Sequence, residues 1–187
     1  LLMVIALATM IVGVLGAVAQ AELKRILSFT LVSHVGYMIF GLAIGTAAAY
    51  GATIYYIVHH IIVQTTLFLA VGLIERRAGS TSILRVKGLM RAAPVIAVLY
   101  FIPAVNLGGL PPFSGFIGKF ALFDAGAQVG TPVVMVLIVG GIVTSLLTLY
   151  ALMRAWNLSF WREEEDSSET EARIAHLGRS TGAAVET

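Results

Sequence analysis

Long apolar stretches separated by short polar turns make up most of the chain. A transmembrane helix needs about 20 consecutive apolar residues. Stretches of about that length cover residues 1–19, 26–46, 52–74 and 131–156. The apolar region 92–127 is too long for one span, and glycines with a proline pair interrupt it near 108–116. We therefore predict an all-α, multispanning transmembrane bundle with about five full spans plus a discontinuous pass near 108–116.

The composition supports a membrane module with a polar tail. The chain of 187 residues is 58% hydrophobic and 12% charged, whereas soluble domains have about 25% charged residues. Residues 1–156 are predicted to form the module. Residues 157–187 are rich in Glu, Ser, Thr and Gly and predict a disordered tail with a short helix near 169–177. Because the chain opens inside an apolar run without a signal-peptide pattern, we interpret it as a fragment of a longer protein.

Positive charge is concentrated in one loop. Residues 76–91 carry five basic side chains, and loops rich in Lys and Arg face the cytoplasm. Lys24 and Arg25 lie two spans earlier, so they are expected on the same side. The uncharged turn 46–51 is expected on the outer side.

Lys119 lies in an apolar stretch just after the interruption. Gly and Pro stop a helix and free its backbone groups, and such backbone is tolerated in a bilayer only where it is buried in protein or lines a wet cavity. An ionisable side chain at this depth costs several kcal/mol and marks an ion path by default. The alternative is a structural ion pair with an acid outside this chain. The residues predicted to form the hinge are Gly108, Gly109, Pro111, Pro112, Gly115 and Gly118.

Polar residues form one stripe on each of two predicted spans, at helical spacing. The stripes consist of Thr30, Ser33, His34 and Tyr37, and of Thr53, Tyr56, His60 and Gln64. One interpretation is hydrogen bonding between helices, and the other is a proton relay through His34 and His60. His59 lies about 100° around the helix from His60 and is interpreted as a packing residue. By composition alone, Lys24 and Arg154 fit interfacial anchors.

Four segments carry a resemblance to a known family. They are residues 22–37, 59–69, 109–120 and 149–154, and they contain the strings HHIIV and PPFSGFIGK. In order and spacing they resemble the antiporter module shared by Mrp-type multisubunit sodium/proton antiporters and respiratory complex I. The sequences of these two strings are most similar to those of the D subunits of Mrp antiporters.

The resemblance implies specific roles for several residues. Lys24 would be the lysine of a central polar axis, His60 a linking histidine, and Lys119 the lysine of the broken helix. At Gln64 the chain departs from the family, which usually has a lysine four residues after this histidine. Because Gln can hydrogen-bond but cannot titrate, charge-driven coupling at that position is in question.

The predicted function is that of a membrane subunit of a multisubunit sodium/proton antiporter in the bacterial plasma membrane. Protons would move through Lys24, His34, water near Gln64, His60 and Lys119. The expected partners are other membrane subunits, with Na⁺ and H⁺ as transported ions and no nucleic acid. No catalytic residue, metal site or cofactor is predicted, so the chain is not expected to be an enzyme by itself. The alternatives are a proton-translocating subunit of a complex I-type dehydrogenase and a non-conducting assembly subunit.

Overall fold

A computed structural model describes residues 1–161, and within that range the fold is all-α, as predicted. The predicted tail helix near 169–177 lies outside the described residues. The helices are α1 (Leu2–Ala19), α2 (Leu23–Ile44), α3 (Ala47–Ala78), α4 (Leu89–Ala92), α5 (Pro94–Gly108), α6 (Ser114–Val129) and α7 (Pro132–Trp156). A π-helical turn, Asn157–Trp161, extends α7 and buries Phe160. The described fold therefore continues five residues past the predicted end of the module.

Four of these helices are long and apolar enough to cross a membrane, namely α1, α2, α3 and α7 with its π-helical turn. Their spans agree with the four predicted from the apolar stretches. The third is longer than predicted, because α3 begins five residues before position 52 and ends four residues after position 74. Pro132 occupies the first turn of α7, where its missing N–H costs nothing.

The fifth pass is interrupted. In α5, Tyr100 shares a core cluster with Leu67 from the second half of α3. In α6, Leu122 shares the other core cluster with Tyr56 from the first half of α3. The two short helices, of 15 and 16 residues, therefore lie one after the other beside the 32 residues of α3.

This arrangement differs from the predicted full helix followed by a discontinuous pass. The prediction assumed that the region 92–127 is too long to cross the membrane once. That holds for a single unbroken helix but not for a pass that is interrupted. Because α5 ends at Gly108, the chain needs both short helices to reach the opposite end of α3. We refer to residues 109–113, which separate α5 from α6, as the break.

The basic residues gather at one end of the bundle. Lys24 Nζ lies 2.6 Å from Glu75 Oε2, which ties the start of α2 to the end of α3. Arg154 Nη1 donates to the Val18 carbonyl at 2.8 Å, which places the end of α7 beside the end of α1. We call this the basic end. It also contains the loop between α3 and α4, whose Ile83 N–H donates to the Ala21 carbonyl at 2.9 Å.

Candidate functional site

The break forms because Gly109 ends α5 in the left-handed region. Its φ is +83°, a conformation that glycine adopts without steric cost. A cis peptide bond joins Pro111 to Pro112 within the break. Since α5 ends here, the carbonyls of its last turn have no partner further along the helix. They become acceptors in the middle of the bundle.

Lys119 donates hydrogen bonds to those carbonyls. Its Nζ donates to the Leu107 carbonyl at 2.9 Å and to the Gly108 carbonyl at 3.4 Å. It also donates to Ser145 Oγ of α7 at 2.8 Å. The side chain is 3% exposed, so the charge is deeply buried. The C-terminal end of a helix carries partial negative charge, and α5 therefore supplies an electrostatic counterpart to the ammonium.

Both polar stripes are buried in the protein, as the pattern predicts, and His34 of α2 meets Tyr56 and His60 of α3. The ring centroids of His34 and His60 are 5.0 Å apart, and those of His34 and Tyr37 are 5.8 Å apart. Lys119 Nζ lies 5.3 Å from the centroid of the Tyr37 ring. The structure thus brings His34, His60 and Lys119 into one cluster, with Tyr37 between the lysine and the histidines.

Several polar atoms in this cluster have no hydrogen-bond partner among the described residues. They are both ring nitrogens of His34, Nε2 of His60, the Tyr56 hydroxyl and Oε1 of Gln64. A buried polar group without a partner costs about 1–3 kcal/mol, and buried water commonly satisfies such groups. These atoms are therefore candidate partners for buried water molecules.

Gln64 is held in one orientation. Its Nε2 donates to the Leu27 carbonyl at 2.7 Å, which leaves Oε1 as an acceptor within the buried cluster. At this position the side chain can order water but cannot carry charge.

Lys24 is not brought to this cluster. It lies at the basic end, paired with Glu75, and its side chain is 49% exposed. Ten residues of helix, about 15 Å, separate it from His34 on α2.

His59, interpreted from the sequence as a packing residue, is buried and also takes part in a hydrogen bond. Its Nδ1 lies 3.0 Å from the hydroxyl oxygen of Ser114, the first residue of α6. The ring also lines a cavity of about 280 Å³ on the side of the bundle. This polar contact was not predictable, because the angle between neighbouring helical positions says nothing about the helix that packs on that face.

The predicted hinge residues divide into two groups. Gly108 and Gly109 end α5, and the proline pair lies within the break. Gly115 and Gly118 lie inside α6, so they are not part of the hinge. A Cβ on Gly115 would lie 2.0 Å from the Asn106 carbonyl oxygen. These two glycines instead allow neighbouring groups to approach α6 closely.

Sequence reasoning missed two further polar residues at the break. Ser145 binds Lys119 and donates to the Gly108 carbonyl at 2.8 Å. Asn106 Oδ1 accepts from the Gly115 N–H at 2.8 Å and from Ser114 Oγ at 3.3 Å. Asn106 is an isolated polar residue in an apolar run, and Ser145 stands beside Thr144 in another; polar residues in apolar runs are the signal that identifies such positions.

The cluster contains several groups that can bind and release a proton. It combines one buried ammonium, imidazoles and hydroxyls with unpaired acceptors. Among residues 1–161, no group of three or more His, Cys, Asp or Glu side chains could hold a metal ion. This chemistry suits the binding and transfer of protons inside a membrane.

Comparison with known proteins gives the same family repeatedly. Residues 1–148 match the family described as NADH:quinone oxidoreductase/Mrp antiporter, TM. The D subunit of the Na(+)/H(+) antiporter of Alkalihalophilus pseudofirmus is 41% identical over 90% of this chain and 34% of its own length. NAD(P)H-quinone oxidoreductase subunit 2 of a Synechococcus strain is 34% identical over 89% of this chain and 31% of its own length.

Two solved structures have the same fold. A chain of the Mrp complex from Dietzia superposes with a TM-score of 0.81 and 38% identity, covering 87% of this chain and 30% of the other. A chain of respiratory complex I from Thermus thermophilus superposes with a TM-score of 0.80 and 25% identity. The match covers 88% of this chain and 34% of the other. This chain thus spans about a third of the length of these relatives.

The apolar helices and the bacterial relatives make this a multi-pass protein of the cell membrane. It is an antiporter-like membrane subunit and belongs to the NADH:quinone oxidoreductase/Mrp antiporter family.

Proposed function

We propose that this chain belongs to the membrane subunit of a multisubunit Na⁺/H⁺ antiporter and carries protons along a buried axis. The observation that carries the proposal is the position of Lys119. Its ammonium is bound to the last carbonyls of α5, near His34, whose two ring nitrogens both lack partners among the described residues. A charge that is costly to bury is thus placed beside groups that can exchange protons with it.

The axis has a definite order from the basic end to the break. Lys24 is at the membrane end, and Leu27, one turn further along α2, accepts the hydrogen bond of Gln64. His60 lies one turn before Gln64 on α3. From there the path continues through His34 and past Tyr37 to Lys119.

Water is needed to complete this path. No hydrogen bond joins His34 to His60, since both ring nitrogens of His34 lack a partner among the described residues. Water molecules bound to the unpaired atoms of Gln64, His60 and His34 would close the gaps. Each transfer moves one proton from a donor to a neighbouring water or imidazole, so no redox partner is required.

The transported cation and the partners are inferred from relatives. Two of the most similar sequences are by name D subunits of Na(+)/H(+) antiporters, and a similar chain belongs to an Mrp complex. We propose other membrane subunits as partners and Na⁺ as the exchanged ion. Proton movement at Lys119 would be coupled to sodium movement at a neighbouring subunit.

Two other functions are distinguished by specific observations. Similarity to complex I subunits favours a proton-translocating subunit of a dehydrogenase, in which NADH oxidation drives the protons. Gln64 favours a non-conducting assembly subunit, because it stands where the family usually has a lysine. Its side chain donates to the Leu27 carbonyl.

The test is Lys119→Met in the assembled complex, with exchange measured as sodium-driven collapse of a pH gradient in inverted vesicles without NADH. We expect exchange to fall at least tenfold, because Met keeps the length of the side chain but cannot hold a proton. Lys87→Met, in the loop at the basic end, is the matched control and should leave exchange unchanged.

Wild-type exchange in an assembled Lys119→Met complex would favour the non-conducting subunit. A wild-type complex that exchanges no sodium but pumps protons with NADH would favour the dehydrogenase.

A further inference from the structure

Three exposed arginines at the basic end lack an acidic partner. Arg76 and Arg77 occupy the last turn of α3, and Arg85 lies in the loop between α3 and α4. Within residues 1–161, none of the three forms an ion pair with a carboxylate. We call these three side chains the arginine patch. Because arginine stays charged in proteins, the patch presents a fixed positive charge to its surroundings.

The acidic side chains at this end are already paired with other cations. Glu75 Oε2 lies 2.6 Å from Lys24 Nζ, and Glu22 Oε2 lies 3.4 Å from Arg25 Nε. Neither carboxylate forms an ion pair with the arginine patch. The counterpart of the patch is therefore an anion from outside residues 1–161.

The loop that carries Arg85 is held in one conformation. The Ile83 N–H donates to the Ala21 carbonyl at 2.9 Å, and the Val86 N–H donates to the Ser82 carbonyl at 2.9 Å. The side chains of Ile83 and Val86 are buried in the core cluster that contains the end of α3. A group presented by a fixed loop loses little freedom on binding, so Arg85 is well placed to hold a ligand.

The loop also exposes an apolar side chain beside the charge. Leu84, next to Arg85, is 56% exposed, and Trp161 is 60% exposed. Trp161 belongs to the π-helical turn, which packs against α4 close to this loop. Tryptophan is enriched where the bilayer meets water, and guanidinium groups bind phosphate through paired hydrogen bonds. This combination fits the level of the lipid headgroups.

We propose that the arginine patch binds the headgroups of anionic phospholipids. The phosphate oxygens lie against the guanidinium groups, while Leu84 and Trp161 enter the adjoining apolar zone of the bilayer. One basic residue near an anionic membrane surface strengthens binding about fivefold. This inference concerns the surface that meets the membrane, so it does not depend on the proposed antiport function.

The exposed apolar side chains favour lipid over an acidic protein segment. A segment held by ion pairs alone would leave Leu84 and Trp161 in water, whereas a membrane interface takes up charge and apolar surface together. The competing counterpart within this chain is its own acidic run, residues 163–166. The experiment below separates the two.

The test measures which lipids gather beside the patch. Ala78, exposed at the end of α3, is replaced by Cys and labelled with a fluorophore in a complex whose other subunits lack cysteine, as this chain does. The assembled complex is reconstituted in phosphatidylcholine. Phosphatidylglycerol or phosphatidylcholine that carries a nitroxide near the glycerol group is then added as a quencher. We expect phosphatidylglycerol to be preferred about tenfold or more, because three charges attract it.

Arg85→Gln in the same labelled complex should lower that preference about fivefold, because one charge is removed from the surface. Neutralising all three arginines, as R76Q/R77Q/R85Q, should abolish it. The matched control is E22Q/R25Q, which removes an ion pair at the same end without changing the net charge. This control should keep the wild-type preference. Raising the salt concentration should weaken the preference of the wild type, since exposed charges are screened.

Equal quenching by the two lipids in the wild type would overturn the proposal, and so would a full preference in an assembled R76Q/R77Q/R85Q complex. Another contrary result is a preference that the wild type lacks and that appears when residues 163–166 are neutralised, as E163Q/E164Q/E165Q/D166N. That result would assign the patch to the chain's own acids. Lys119→Met should leave the lipid preference unchanged, so a failure of the antiport function is distinguishable from a failure of this site.

Discussion

Ser145 is the side chain that connects α7 to the break. It accepts from Lys119 Nζ at 2.8 Å and donates to the Gly108 carbonyl at 2.8 Å. A hydrogen bond to a charged group contributes about 1.5–3 kcal/mol. Ser145 therefore fixes both the position of the ammonium and the carbonyl that faces it.

Replacing Ser145 by Ala should reduce exchange by up to about 10- to 150-fold, because the buried ammonium loses one of its three acceptors. Ser145→Thr keeps the hydroxyl and should retain most of the exchange. The measurement is the maximal rate and the half-saturating sodium concentration of the assembled complex. Equal losses in the two variants would show that packing, and not the hydroxyl, matters at this position.

Single residues differ in how far the sequence reveals their role. Lys119 stands out because a charge in an apolar run is costly wherever it lies. His59 and Asn106 do not, because their roles depend on each other across two helices and a break. Pairings of that kind arise from tertiary contacts, which helical periodicity does not contain.

At the scale of elements, Gly115 determines how closely α6 approaches the end of α5. A Cβ there would lie 2.0 Å from the Asn106 carbonyl oxygen and 3.0 Å from His59 Nε2. The first of these neighbours is backbone, which cannot move aside without shifting α5. The two halves of the interrupted pass are therefore joined by a contact that only glycine permits.

Gly115→Ala should destabilise the complex by about 1–3 kcal/mol or more, the usual cost of overpacking. Gly72→Ala is the matched control, since no heavy atom lies within 4 Å of its added Cβ. It should be neutral or stabilising by up to about 1 kcal/mol from helix propensity. Thermal unfolding of the purified complex measures both. A Gly115→Ala complex as stable as Gly72→Ala would contradict the close contact.

The spans were predictable from the sequence where each apolar stretch forms one helix. α1, α2, α3 and α7 follow their apolar stretches closely. The interrupted pass was only half predictable, because glycines and prolines show where a helix stops but not the direction in which the chain continues. That direction is set by packing, with α5 on one half of α3 and α6 on the other.

At the scale of the whole molecule, charge is distributed unequally between the two ends. Lys24, Arg25 and Arg154 lie at the basic end together with the loop between α3 and α4. Near the other end, Asp124 of α6 accepts a hydrogen bond from Gln128 at 2.9 Å. The positive-inside rule predicts that the basic end faces the cytoplasm, and α7 ends at the same side.

This orientation predicts opposite labelling of two exposed positions. Ala78→Cys, at the end of α3, should react with an impermeant maleimide in inverted vesicles but not in intact cells or spheroplasts. Thr131→Cys, just before α7, should show the reverse pattern. Labelling of both positions from one side would contradict the interrupted pass, because a full span in place of the two half-helices changes the side of α7.

The break also determines how deep Lys119 lies in the membrane, and therefore how the membrane voltage acts on a proton bound there. The ammonium rests at the end of α5 near the middle of α3, and so at about half the depth of the bundle. A proton that leaves it for either face crosses about half of the transmembrane field, which is worth roughly 1.1 kcal/mol per 100 mV. If Lys119 exchanges protons as proposed, each exchange is electrogenic by position alone, and the interruption of one helix places that step at the centre of the bundle.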